Sequence, residues 1–140
     1  MPHLRIETNV KSSDIENIEE CLTVLTEAAA KTLDKPIEYM FVTVVPDVAM
    51  ALGGDPKIPV AQATLMSIGQ LGVEENKKHA EALFPLISKY LGVQDGRCYI
   101  TFNDMKSSEV GFKGTTFHTI FGKNSTFQRF YRYVSQIGKS

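Results

Sequence analysis

The sequence predicts an α+β fold built from two pseudo-repeated βαβ units, a four-stranded mixed sheet with two helices on one face. Three observations predict it. Two stretches with helical apolar spacing, ending at Leu33 and Leu91, are each framed by β-type runs. A shift of 58 residues lays Lys31 and Leu33 on Lys89 and Leu91, and Val42-Thr43-Val44 on Ile100-Thr101-Phe102. A βαβ crossover is right-handed, so two such units set both helices on the same side of a shared sheet. The other sheet face is then bare. Read as apolar, it predicts self-association, because a domain of 140 residues does not leave such a face in water.

The first strand runs to about Thr8. Ser13 and Glu16 match a capping box, and Ile15, Ile18, Leu22, Leu25, Ala29 and Leu33 form the stripe of the first helix, which Pro36 ends. Ile37 to Val45 is rich in β-branched and aromatic residues, and its near-continuous apolar run predicts a strand buried on both faces. Gly53-Gly54-Asp55-Pro56 marks a loop, and Val60 to Ile68 the third strand. Ala80, Leu83, Phe84, Ile87 and Leu91 give the second helix, over Glu74 to Leu91, its buried face; Gly92 is the stop, and Pro85 predicts a kink or a restart. Cys98 to Asn103 is the fourth strand.

A net charge of −1 argues against general nucleic-acid binding. It conceals an asymmetry: residues 118–140 carry four basic and no acidic side chains, and the remainder 11 basic against 16 acidic. Cys21 and Cys98 form no CxxC and read as buried free thiols. No apolar run approaches the ~18–20 residues of a membrane span, and the polar start of the chain is unlike a signal peptide. The expected location is cytoplasmic and/or secreted without a signal peptide.

Pro2 is the first residue with unusual chemistry. Initiator methionine is usually trimmed before a residue as small as proline, which predicts Pro2 as the mature N-terminus. Its nitrogen is then a secondary amine in a rigid ring. An ordinary α-amino group titrates near ~7.7–8.0, and burial lowers that value by disfavouring the ammonium form. A buried terminal proline is therefore suited to general acid–base work at neutral pH. Taken alone, Met-Pro is better explained by a proline that merely opens a strand.

An ordered set of segments moves that balance. Met1-Pro2, Thr8-Asn9-Val10, Lys35-Pro36, Val44-Val45-Pro46-Asp47, Met50-Ala51-Leu52-Gly53-Gly54, Ser67-Ile68-Gly69, Asn76, Tyr99-Ile100, Val110-Gly111-Phe112 and Gly114-Thr115-Thr116-Phe117 follow one another along residues 1–117. In order and spacing they resemble the macrophage migration inhibitory factor and D-dopachrome tautomerase family. The resemblance implies a homotrimer whose sheets wrap into a barrel, a tautomerase pocket at each subunit interface and, in many members, cytokine-like signalling through a cell-surface receptor. It implies a small aromatic keto acid such as phenylpyruvate, or a dopachrome-like compound, as substrate, with no metal or organic cofactor. Pro2 matches the catalytic base and Lys35 the pocket lysine. An ammonium beside the base would lower its pKa and attract an enolate or carboxylate oxygen; without the family, Lys35 reads as a cation closing a helix. Ser67 and Ile68 match the segment that faces the substrate, and Tyr99 an aromatic from the adjacent subunit. Met105, Val110, Phe112 and Phe117 match apolar walls.

Three positions and one segment depart from the family pattern. Thr101 stands where asparagine is frequent, exchanging an amide for a hydroxyl. Phe112 stands where tryptophan is frequent and lacks the indole donor. His3 replaces an apolar residue beside the base, where a histidine could alter its pKa or substrate choice, and reads as a solvated or hydrogen-bonded surface side chain. Val60-Ala61-Gln62-Ala63 replaces the CxxC of some members, so no thiol-redox activity is carried over.

The predicted organisation is a tautomerase-like domain over 1–117 and a C-terminal extension over 118–140. Ser125 to Gln128 matches a capping box, and Phe127, Phe130, Tyr131, Val134 and Ile137 recur at helical spacing, which predicts a short amphipathic helix from Thr126 to Ile137. Asn124-Ser125-Thr126 is a glycosylation sequon. Two alternatives stand beside the enzyme: a secreted cytokine-like ligand with vestigial tautomerase activity, and a trimeric scaffold whose tail docks a partner.

Overall fold

The computed structural model describes residues 2–121. The expected tail helix, its capping box and the sequon lie outside them. Strands β1 (His3–Thr8), β2 (Phe41–Val45), β3 (Ala61–Ser67) and β4 (Cys98–Asp104) form a sheet in the order β2-β1-β3-β4. The β1–β2 and β3–β4 pairs are parallel, and β1–β3 is antiparallel. Helix α1 (Ile18–Leu33) crosses from β1 to β2, and α2 (Val73–Leu91) from β3 to β4. These are the two predicted βαβ units, joined antiparallel through their inner strands. A short hairpin, β5 (Gly111–Phe112) and β6 (Thr115–Thr116), leads into α3 (Phe117–Phe121).

The repeat survives in the register. His3 pairs with Phe41 in the first unit, and Gln62 with Tyr99 in the second. Phe41 and Tyr99 thus hold equivalent places on the two edge strands, and both are exposed, 60% and 63%. At the helix ends, Leu33 and Leu91 are both buried, and each is followed by a left-handed residue, Asp34 (φ 52°) and Gly92 (φ 69°). The next residue is buried in both units, but it is Val93 in one and Lys35 in the other.

The core lies between the helices and one sheet face. Leu4 and Ile6 of β1, Ala61, Ala63 and Leu65 of β3, Cys21, Leu25, Ala29 and Leu33 of α1, and Leu83, Ile87 and Leu91 of α2 form one buried cluster. Fully burying a leucine- or isoleucine-sized side chain is worth ~1.5–3 kcal/mol, so this cluster dominates the fold. Both cysteines are buried and free, as expected. The buried stripe of α2 includes His79, 2% exposed, which the apolar pattern passed over for Ala80. Its Nε2–H donates to the Gln70 carbonyl (2.8 Å), and Nδ1 meets the Thr32 hydroxyl (2.8 Å), so both ring nitrogens are satisfied inside the core.

Several local expectations are corrected. Helix α1 begins not at the Ser13–Glu16 box but at a second signature four residues on, where Asn17 accepts from the Glu20 N–H (3.0 Å). Ser12–Asp14 is instead a 3₁₀ turn, and Ile15 is extended and buried. The second strand starts at Phe41, because Ile37–Tyr39 is a 3₁₀ turn after Pro36. It is an edge strand rather than one buried on both faces. Pro85 neither breaks nor restarts α2, which runs through it. Pro85 and Glu81 are both exposed, so the carbonyl deprived of its N–H partner lies on the solvent side.

The uncovered sheet face is also not apolar. Alternation places Thr43, His3, Arg5, Glu7, Gln62, Thr64, Thr101 and Asn103 on it, with Phe41, Val45, Met66 and Tyr99 between them. The exposed apolar surface of the sheet is concentrated in Phe41 and Tyr99 on its two edges. That is a different surface from the one the sequence reading took as its reason for self-association. His3 fits its expected role: its Nε2 meets the Thr43 hydroxyl at 3.0 Å and its ring lies 4.6 Å from that of Phe41.

Candidate active site

Four candidate residues meet at one end of the sheet. Ser67 closes β3 and pairs with Asp104 of β4. On its other side β3 pairs with β1 as far as Met66 opposite His3, so one further step of the register sets Pro2 opposite Ser67. Alternation turns Pro2, Leu4 and Ile6 toward the helices, and Pro2 is fully buried. The Pro2 carbonyl accepts from the Phe41 N–H (3.1 Å), which anchors this end of β1 to β2.

Lys35 reaches the same place from α1. Its backbone N–H donates to the Ala30 carbonyl (3.0 Å) and that of Asp34 to the Lys31 carbonyl (3.1 Å), the Schellman closure of a helix end. That closure turns the following side chain against the core, where the second unit carries Val93 and the first carries a lysine, 6% exposed. Its ammonium donates to the Ile68 carbonyl at 2.5 Å. Burial pushes the Lys35 pKa down to about 8, while the Asp104 carboxylate acts in the opposite sense.

The turn after β3 is held twice by β4. The Met105 N–H donates to the Ser67 carbonyl (2.8 Å), and the Gly69 N–H to Asp104 Oδ1 (3.0 Å). Ser67 Oγ is buried and has no hydrogen-bond partner among the described residues. A buried hydroxyl left unpaired costs ~1–3 kcal/mol, so this atom calls for a partner such as a water or a ligand group.

The predicted wall residues come together around Ile68. Ile68, Val110 and Phe117 are buried as a second cluster, with Met105, Phe112 and Tyr39 against it. The Phe112 and Phe117 rings stack at 5.1 Å, and Tyr39 meets Phe112 edge-on at 6.2 Å. A cleft of about 740 Å³ opens beside these rings, lined also by His3, Met40 and Phe41. A second cleft, of about 570 Å³, lies between the start of α1 and the end of α2 and contains none of the candidates.

Tyr99 and Thr101 are not brought to this group within one chain. Both lie on the uncovered face, and Tyr99 is five residues from Asp104, ~16 Å along the strand. Thr101 Oγ1 accepts from Gln62 Nε2 (3.2 Å). Sequence reasoning missed Tyr39, because the strand reading hid the 3₁₀ turn that swings it to Phe112. It also missed Asp104, whose signal was only its place next to Met105. Among the described residues no cluster of His, Cys, Asp and Glu could hold a metal ion, and no helix is long and apolar enough to cross a membrane.

A sheet of paired βαβ units with a buried proline and lysine at one end defines the class, and comparison with known proteins agrees. The family model described as macrophage migration inhibitory factor matches residues 1–118. Macrophage migration inhibitory factor of Xenopus laevis is 36% identical over 117 residues, 84% of this chain and 99% of the relative. The homolog of Brugia malayi is 37% identical with the same coverage. Among solved structures, the factor from Trichinella spiralis superposes with a TM-score of 0.76 at 32% identity, covering 81% of this chain and 98% of that one. The homologue from Prochlorococcus marinus gives 0.77 at 26%, covering 82% and 98%. The chain belongs to the macrophage migration inhibitory factor family.

Proposed function

We propose that the protein is a keto–enol tautomerase acting on small aromatic keto acids of the phenylpyruvate or dopachrome type. The reading requires Pro2 at the N-terminus after loss of Met1. The Pro2 amine takes a proton from the carbon beside the substrate carbonyl and returns it to oxygen, or runs the exchange in reverse. The Lys35 ammonium balances the enolate or carboxylate oxygen, and Ser67 Oγ–H donates a further hydrogen bond. Ile68, Met105, Val110, Phe112 and Phe117 hold the ring. One observation carries the reading: a lysine occupies the core place that its repeat mate gives to Val93, against Ile68 and beside a buried Pro2 and an unpaired Ser67 hydroxyl. Packing alone would favour an apolar residue there.

In the same proposal the assembly is a homotrimer. Tyr99 and Thr101 reach the pocket from a neighbouring copy, which explains why they lie far from Pro2 within one chain. Membership of the family also supports a cytokine-like role through a cell-surface receptor, with the protein in the cytoplasm and/or secreted without a signal peptide.

The test is phenylpyruvate enol–keto conversion by untagged protein whose mass shows Pro2 at the N-terminus. Pro2→Gly and a form retaining Met1 are measured beside it. Both altered forms should be folded and at least about a hundredfold slower, the lower range for losing a general acid–base group. Undiminished activity in either would refute Pro2 as the base. A trimer with correct N-terminus and no turnover would leave the signalling role, which is tested separately by asking whether a folded pocket variant still signals.

A further inference from the structure

We propose that Asp104 is a positioning residue of this site, holding the Ile68–Gly69 turn by its carboxylate oxygen and the Lys35 ammonium by its charge. The inference rests on the tautomerase reading and adds a residue to it. Asp104 is the last residue of β4 and the register partner of Ser67. Strand alternation sets it on the helix side of the sheet, the side of Pro2 and Ser67. One of its oxygens accepts the Gly69 N–H at 3.0 Å, while the Lys35 ammonium binds the carbonyl of the preceding residue, Ile68. Carboxylate and ammonium thus grip the two ends of a single peptide group, the Ile68–Gly69 amide, one through its donor and the other through its acceptor.

Asp104, itself exposed at the end of β4, acts on Lys35 electrostatically. Asp34, its chain neighbour, is exposed, and Glu38, three residues on, is also exposed. In the processed protein the Pro2 amine adds a titratable group at the same end of the sheet. Removing the negative charge of Asp104 makes the Lys35 ammonium harder to keep, and removing its oxygen frees the turn that carries Ser67 and Ile68. The two effects separate by substitution. Asp104→Asn keeps an acceptor for Gly69 and loses the charge; Asp104→Ala loses both.

The first measurement is an NMR titration of protein labelled with [ε-¹³C]lysine, with the Lys35 signal identified by its loss in Lys35→Arg. In Asp104→Asn the Lys35 midpoint should fall by roughly half to one pH unit, the lower end for a partly solvated opposite charge. An unmoved midpoint overturns the proposal, whatever the turnover shows. The second is the pH profile of phenylpyruvate conversion. Asp104→Asn should match the parent near pH 6 and fall about threefold in kcat/KM near pH 8 as Lys35 deprotonates early. Asp104→Ala should lose kcat at every pH. A uniform loss in both variants with an unshifted profile would show a merely structural residue and overturn the inference. Absence of turnover in the parent, with the Lys35 shift present, would refute the tautomerase reading and leave the Asp104–Lys35 coupling standing.

Discussion

Lys35→Met tests whether the site is held at the expense of stability. Lys35 is 6% exposed and its pKa is lowered to about 8 from an ordinary 10.5. A depressed lysine pKa means that the unfolded chain holds the proton over a window where the folded chain has lost it, here between about 8 and 10.5. Stability therefore rises with pH through that window, and below it the charged, buried lysine weighs fully against folding. At 1.36 kcal/mol per pKa unit the cost is about 3 kcal/mol at pH 7 and about 2 kcal/mol at pH 9. Methionine carries no such charge and fits the stem. It forfeits the hydrogen bond to the Ile68 carbonyl, about 1 kcal/mol. The variant should thus be about 2 kcal/mol more stable than the parent at pH 7 and about 1 kcal/mol more stable at pH 9, with its tautomerase activity lost. Cys21 and Cys98, which burial raises to about 11, lower stability above pH 9 in both proteins and cancel in the difference. The assay is urea unfolding at pH 7 and 9 at fixed protomer concentration. A variant less stable than the parent at pH 7, or a stability difference that does not shrink by pH 9, would refute the argument.

Arg97 donates to the carbonyls of Leu52 (2.9 Å), Asp55 (3.2 Å), Ile58 (2.9 Å) and Pro59 (3.3 Å), clamping the 49–60 loop. Arg97→Ala should cost about 2–3 kcal/mol and raise amide exchange in that loop, and Arg97→Lys should restore less than half, because an ammonium lacks the planar fork. Phe117→Ala, at a fully buried position stacked on Phe112, should cost about 3–5 kcal/mol in unfolding free energy and collapse the wall around Ile68. If each site draws Pro2 from one copy and Tyr99 from the next, mixing Pro2→Gly with Tyr99→Ala subunits by joint refolding should regain activity. Statistical exchange leaves about a quarter of sites with both native residues. Mixtures no more active than their components would show that the two residues do not share a site.

Much of this architecture was legible in the chain because it depends on local periodicity. Apolar steps of three and four marked both helices. A 58-residue echo marked the two units, down to Leu33 and Leu91, whose equivalence the matching helix ends uphold. The candidate wall residues Met105, Val110, Phe112 and Phe117 were named from the family likeness, and they pack in one cluster with Ile68. What failed was short-range competition. Ser13 and Asn17 both begin good cap signatures, and only the burial of an extended Ile15 decides between them. Pro85 breaks a helix only where the carbonyl it orphans cannot reach water, which depends on the face it occupies.

By itself the sequence determined the order of the four sheet strands and two long helices, the paired βαβ plan and the family, since periodicity, chirality and ordered motifs act along the chain. Tertiary structure alone decided that the uncovered face is polar, because facing depends on register and one residue of slip would reverse it. It alone brought Asp104 and Tyr39 to the candidate site and set Tyr99 about 16 Å from it along β4. The character of Lys35 was decided there as well: helix-end geometry turns it into a valine's place in the core, and burial, which no neighbouring residue in the sequence announces, makes its charge costly.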